Sequence, residues 1–141
     1  MSKLHLHYEI DGNDFMAAGE ASSDVKRVLK QLNFDSETVR RAAICMYEAE
    51  INMIIHADGG TVDVWVEESG IEIVLRDTGP GIADVEQAMQ AGFSTATQKI
   101  RELGFGAGMG LPNIKRNSDR LDVESQVGVG TTLTIRVVSS G

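Results

Sequence analysis

The sequence predicts an α/β fold, a two-layer sandwich in which a mixed, mostly antiparallel sheet carries helices on one face. Three observations predict it. Five segments alternate apolar and polar residues, the period of strands buried on one side only. Other segments repeat apolar residues every three or four positions, the period of helices with one buried stripe. The two kinds of segment follow one another without an internal repeat, a linker or a shift in composition, so residues 1–141 read as one domain.

Taken in order, residues 3–11 put Leu4, Leu6, Tyr8 and Ile10 on one face and Lys3, His5, His7 and Glu9 on the other, which predicts a strand at a sheet edge. From Asp14, read as an N-cap, Ala18, Ala21, Val25, Val28, Leu29 and Leu32 form a helical stripe that ends at residues 33–35. A second helix runs from about Ser36 to about His56, with Val39, Ala42, Ala43, Met46, Tyr47 and Ile54 inward, and Asp58-Gly59-Gly60 breaks it. Val62, Val64 and Val66, then Ile71, Ile73 and Leu75, make a hairpin around residues 67–70. A short helical stretch is expected near residues 84–90, followed by a mobile glycine-rich loop over residues 92–110. A last helix from Pro112 to about Arg120 and strands at residues 121–127 and 131–138 complete the chain.

Composition narrows the function. Hydrophobic residues make up 42% and charged residues 24%, an ordinary globular balance without a span of ~20 apolar residues. The start shows no signal-peptide pattern, and the single cysteine, Cys45, forms no disulfide within the chain, so a cytoplasmic protein is expected. A net charge of −8 argues against broad capture of nucleic acid by its phosphates. It does not exclude a nucleotide, whose phosphates are neutralised locally by backbone N–H groups, a helix N-terminus and a metal ion.

Three constellations carry chemistry. Glu48, Asn52 and His56 stand four residues apart and share one face of the second helix. Alone, such a row reads as a solvated helix face. Asp77-Thr78-Gly79-Pro80-Gly81-Ile82 follows a buried strand, and its glycines let backbone approach a flat ligand while Asp77 accepts a hydrogen bond from an exocyclic amine; an ordinary turn has the same composition. Residues 104–112, with Gly106, Gly108 and Gly110, lead a glycine-rich loop straight into a helix start, a geometry that presents N–H donors and a favourable dipole to phosphate. No lysine followed by Ser or Thr comes after a glycine there, so a Walker loop is excluded.

In this order, with Gly128-Val129-Gly130-Thr131-Thr132 before the last strand, the motifs resemble the N box, two glycine boxes and closing threonine motif of the GHKL (Bergerat-fold) ATPases. The resemblance implies ATP and Mg²⁺ as cofactors. It implies that Asn52 holds the metal, that Glu48 is the general base, and that Asp77 binds the adenine amino group, with Thr131 or Thr132 completing that contact through water. Gly79 and Gly81 shape the adenine wall, and Gly106, Gly108 and Gly110, with Leu111 beside them, close over the phosphates. Glu50, two positions from Glu48, faces elsewhere and reads as solvent-facing or structural.

Within that superfamily the segments around Glu48, Gly92-Phe93-Ser94-Thr95 and residues 108–116 look most like the small bacterial anti-sigma-factor and stress-switch serine kinases. That implies phosphorylation of a serine or threonine on a STAS-domain antagonist protein, with a sigma factor or a phosphatase as further partners. The alternative is a nucleotide-gated binding protein with little turnover. Residues 96–103 are longer than the family pattern, and Lys99 and Arg101 there read as exposed loop charges within reach of a phosphate. A histidine-kinase module needs a helical segment presenting a phospho-accepting histidine, which His5, His7 and His56 do not provide, and gyrase- or chaperone-type ATPases need further domains. Whether the chain forms a homodimer is left open.

Overall fold

A computed structural model describes residues 4–11, 19–56, 59–77, 110–126 and 128–139, with only the backbone of residues 55 and 56. Five strands, β1 (Leu4–Asp11), β2 (Gly59–Glu67), β3 (Gly70–Arg76), β4 (Arg120–Gln126) and β5 (Gly130–Val138), form one open sheet in the order β1-β2-β3-β5-β4. Every neighbouring pair is antiparallel. Helices α1 (Glu20–Gln31), α2 (Ser36–His56) and α3 (Gly110–Asn117) supply the second layer. The two-layer α/β expectation holds.

The register explains why one face is covered. Cross-strand partners share a face. Tyr8, Val62, Leu75, Leu133 and Val123 therefore make one inward row, and Leu6, Val64, Ile73, Ile135 and Leu121 the next. These rows join Val25 and Leu29 of α1, Val39, Ala42, Cys45, Met46, Ala49 and Met53 of α2, and Ile114 of α3 in one core. The outward rows are polar: His5 and His7 both contact Asp63 Oδ1 at 2.8 Å, and the His5 ring stacks on Trp65.

The bounds of α1 and α3 and the burial of one residue of α2 differ from the sequence reading. α1 begins at Glu20 with Gly19 as its N-cap, at φ +95°, rather than at Asp14, which lies outside the described residues along with Ala18. Tyr47, expected inward, is exposed, and the inward position is taken by Cys45. α3 starts two residues before Pro112 and stops at Asn117, because Asp119 turns the chain into β4: its N–H donates to Arg136 O and its Oδ2 accepts from Val138 N. The expected helix at residues 84–90 and the loop at 92–109 lie outside the described residues. The end of α1 is as expected, with Asn33 in the left-handed region at φ +63° and Phe34 N–H returned to Leu29 O.

Gly60 does not simply break α2; it is the second residue of β2, where the sheet meets that helix. A Cβ there would stand 2.2 Å from Arg76 O of β3 and 2.5 Å from Met53 Cε of α2. The backbone oxygen cannot yield without opening the β2–β3 ladder. Gly60→Ala is expected to destabilise the fold by about 2–4 kcal/mol, in the range of strained or overpacked sites. Urea unfolding measures this as a lower midpoint with an unchanged slope.

Candidate nucleotide site

The site is built along the seam between α2 and α3. Residues 41, 45 and 48 of α2 lie on one face at helical spacing, and each meets a residue of α3. Arg41 Nε donates to Asn117 O at 3.0 Å, Cys45 Sγ to Ile114 O at 3.6 Å, and Asn113 Nδ2 to Glu48 Oε1 at 3.5 Å. The partners run down α3 as the residues run up α2, so the helices are antiparallel here. One turn beyond Glu48, Asn52 continues this face in the direction of the N-terminal end of α3, whose first N–H groups have no partner within the helix.

Two other contacts fix the seam. Arg41 Nη2 donates to Asp119 Oδ2 at 2.7 Å, the same oxygen that receives Val138 N–H at 2.6 Å, so one arginine ties α2 to the end of α3 and to β5. Burial pushes the Cys45 thiol up to about 12, so it stays protonated and donates. Neither Arg41 nor Cys45 stands out as a site residue in the sequence, where Cys45 is noted only as the lone cysteine.

Glu48 is half-buried in this seam. Burial raises its carboxyl above the usual glutamate range, and the Asn113 amide acts in the opposite direction. A carboxylate held in partly apolar surroundings at a helix–helix edge is more basic than one in water, which suits proton abstraction. Asn52, one turn on, is also partly exposed. Among the described residues no group of three His, Cys, Asp or Glu side chains converges to cage a metal. A single amide oxygen at Asn52 fits a hard cation that takes its other ligands from nucleotide phosphates and water.

At the far end of the sheet, Asp77 follows β3. Its N–H donates to Thr131 O at 3.0 Å, and its Oδ1 accepts from Thr131 N–H at 3.1 Å. Thr131 Oγ1 lies 2.8 Å from Ser125 Oγ, which also bonds Gly130 O at 3.3 Å. Asp77, Thr131 and Ser125 therefore link β3, β5 and β4 across one end of the inward face. Of the two threonines, Thr131 is the one joined to Asp77; Thr132 pairs with Arg76 and points from the opposite face. Ser125 was missed because a serine in an alternating strand carries no local signal.

Leu111 is buried beneath the first turn of α3, and Gly110 is that helix's first residue. Gly79, Gly81, Gly106, Gly108, Lys99 and Arg101, and the side chain of His56, lie outside the described residues.

Residues 38–140 match the model of the histidine kinase-, DNA gyrase B- and HSP90-like ATPases, well over half of the chain and all of the seam and sheet end just described. The chain belongs to this GHKL ATPase family. Among its relatives, the serine/threonine-protein kinase RsbT of Bacillus subtilis is 30% identical over 112 residues, covering 77% of this chain and 78% of that one. An anti-sigma F factor of Heyndrickxia coagulans is 32% identical over 101 residues, with 72% and 63% covered. Another, of Caldanaerobacter subterraneus subsp. tengcongensis, is 38% identical over 96 residues, with 68% and 59% covered. The chain thus spans about six-tenths of those two anti-sigma factors. Membership of this GHKL branch carries ATP as the nucleotide. Among the described residues no helix is long and apolar enough to cross a membrane.

Proposed function

We propose that residues 1–141 are a single GHKL domain that transfers the terminal phosphoryl of ATP to a serine or threonine of a STAS-domain regulatory protein. The observation that carries this reading is Glu48: a half-buried carboxylate, raised by burial, one helical turn from Asn52 and facing Asn113 of α3. A hydrolase that uses only water has no need of a named protein acceptor, and relatives of the chain are named as a serine/threonine kinase and as anti-sigma factors.

In this reading Asp77 orients the adenine end of the nucleotide, with Thr131 holding the Asp77 carboxylate in place through its N–H. The other end lies toward Asn52 and the N-terminus of α3, whose first N–H groups have no partner within the helix and suit phosphate oxygens. Mg²⁺, when bound through Asn52, supplies charge neutralisation on the phosphates. Glu48 takes the proton of the acceptor hydroxyl as it attacks, and orientation and preorganised donors account for the rest of the acceleration. A sigma factor and a phosphatase are further partners in the same scheme, which operates in the cytoplasm.

The test is incubation with labelled ATP, Mg²⁺ and the STAS-domain proteins of the same genome. Label on one STAS protein is expected, and Asn52→Ala is expected to lose it together with Mg²⁺-dependent ATP binding. ATP binding with no transfer to any STAS protein favours instead the nucleotide-gated binding protein.

A further inference from the structure

The geometry points to Asn113 as a positioning residue for Glu48, its carboxamide in turn oriented by Arg116. The inference rests on the reading of Glu48 as the base and goes beyond it, because no feature of the sequence distinguished Asn113 from the other polar residues of α3.

Asn113 is the residue of α3 that faces Glu48. Its Nδ2 lies 3.5 Å from Glu48 Oε1, and its Oδ1 accepts from Arg116 Nη1 at 3.4 Å. An amide has a donor end and an acceptor end, so a guanidinium on the oxygen commits the NH₂ to the carboxylate. The Arg41–Asn117 and Cys45–Ile114 contacts hold α3 against α2 on the C-terminal side of Asn113, so its place over Glu48 is set by the helix pair. Among the described residues Glu48 is engaged through Oε1 alone. Oε2 is left to meet an incoming hydroxyl.

The choice of an amide is chemically apt. A lysine or arginine in direct contact would hold the carboxylate as a salt bridge and make it a weaker base. The amide orients the carboxylate without a formal charge, while Arg116 stays one residue removed. Both separations are long for hydrogen bonds, so the expected influence is on the carboxylate's rotamer rather than on the strength of a clamp.

The test compares Asn113→Ala and Asn113→Gln with wild type in the transfer assay, alongside binding of a fluorescent ATP analogue and thermal unfolding. Asn113→Ala is expected to lower kcat about tenfold, the lower end for residues that orient a functional group, with the KM for ATP and analogue binding unchanged. Asn113→Gln, which keeps the amide, is expected to recover part of that loss. A kcat unchanged in Asn113→Ala, or one that falls only as ATP binding falls, overturns the assignment and leaves the kinase reading standing. Absence of transfer by wild type removes the kinase reading, and the positioning role of Asn113 with it. A thermal-unfolding cycle of Glu48→Ala, Asn113→Ala and the double variant, in which each single change removes the contact, tests it without turnover. Coupled shifts are expected, and strictly additive ones overturn it.

Discussion

Glu48→Gln is expected to abolish transfer to the protein acceptor, a loss of about 10²- to 10⁴-fold, while ATP binding persists. The substitution keeps the shape of the side chain and removes only its capacity to take a proton. Asn113 Nδ2 retains an oxygen to face, so the α2–α3 seam survives. The pH dependence follows from the direction of the Glu48 shift. Burial raises its carboxyl above the usual range of about 4.3, so the base is protonated and idle at low pH and becomes active as pH rises through that higher value. The acid limb of the transfer profile in wild type is expected to lie above the ordinary glutamate value. Wild-type turnover in the Glu48→Gln variant would remove Glu48 from the mechanism, since an amide cannot serve as a base.

The second large effect concerns Glu50. Its side chain is 2% exposed, and its two oxygens accept the N–H groups of Ala21 at 3.3 Å and Ser22 at 3.2 Å. α1 has no side-chain cap of its own, since Gly19 occupies the N-cap; a carboxylate from another helix supplies the acceptors instead. Glu50→Ala leaves those N–H groups buried without partners, and a loss of about 2–3 kcal/mol is expected, a melting point lower by roughly 5–10 °C. Glu50→Gln is also destabilising, because its NH₂ must face one of the N–H donors. Burial raises the Glu50 carboxyl, against the opposing pull of the Ser22, Ala21 and Gly19 N–H groups. A group whose folded value lies above its unfolded one stabilises most below the unfolded value, about 4.3 for glutamate, and that part is lost as pH rises through the folded value. The stability gap between wild type and Glu50→Ala is therefore expected to be widest in acid and to narrow toward neutral pH. Urea midpoints measured across that range check both the size and the sign; a gap that widens toward neutral pH contradicts the account.

Glu50 also shows where reading residues in line stops. Two positions from Glu48 along a helix, it had to face a different way, and the sequence therefore offered solvent or structure as its role. What decided between them was α1, which packs its N-terminus onto that face of α2. The sequence places the cap of α1 within its own segment, at Asp14, which lies outside the described residues; the acceptors for the N–H groups of Ala21 and Ser22 come from Glu50, 29 and 28 positions away. Tyr47 and Cys45 make the same point. Both fit an apolar helical stripe, but the line of contact with α3 runs through Cys45, and Tyr47 is left exposed.

By itself the sequence determined the two-layer architecture, the strand alternation and the extent of α2, because those depend on periodicity along the chain, a local property. It also determined the motif order that marks the family and the row from Glu48 to Asn52, since spacing on a helix converts directly into a shared face. The tertiary structure alone decided which threonine joins Asp77, that Ser125 continues that link, and that Arg41, Cys45 and Asn113 form the seam. Those depend on strand register and on how two helices are set side by side. Hydrogen bonds between residues more than 50 positions apart leave no mark in the local pattern of either partner.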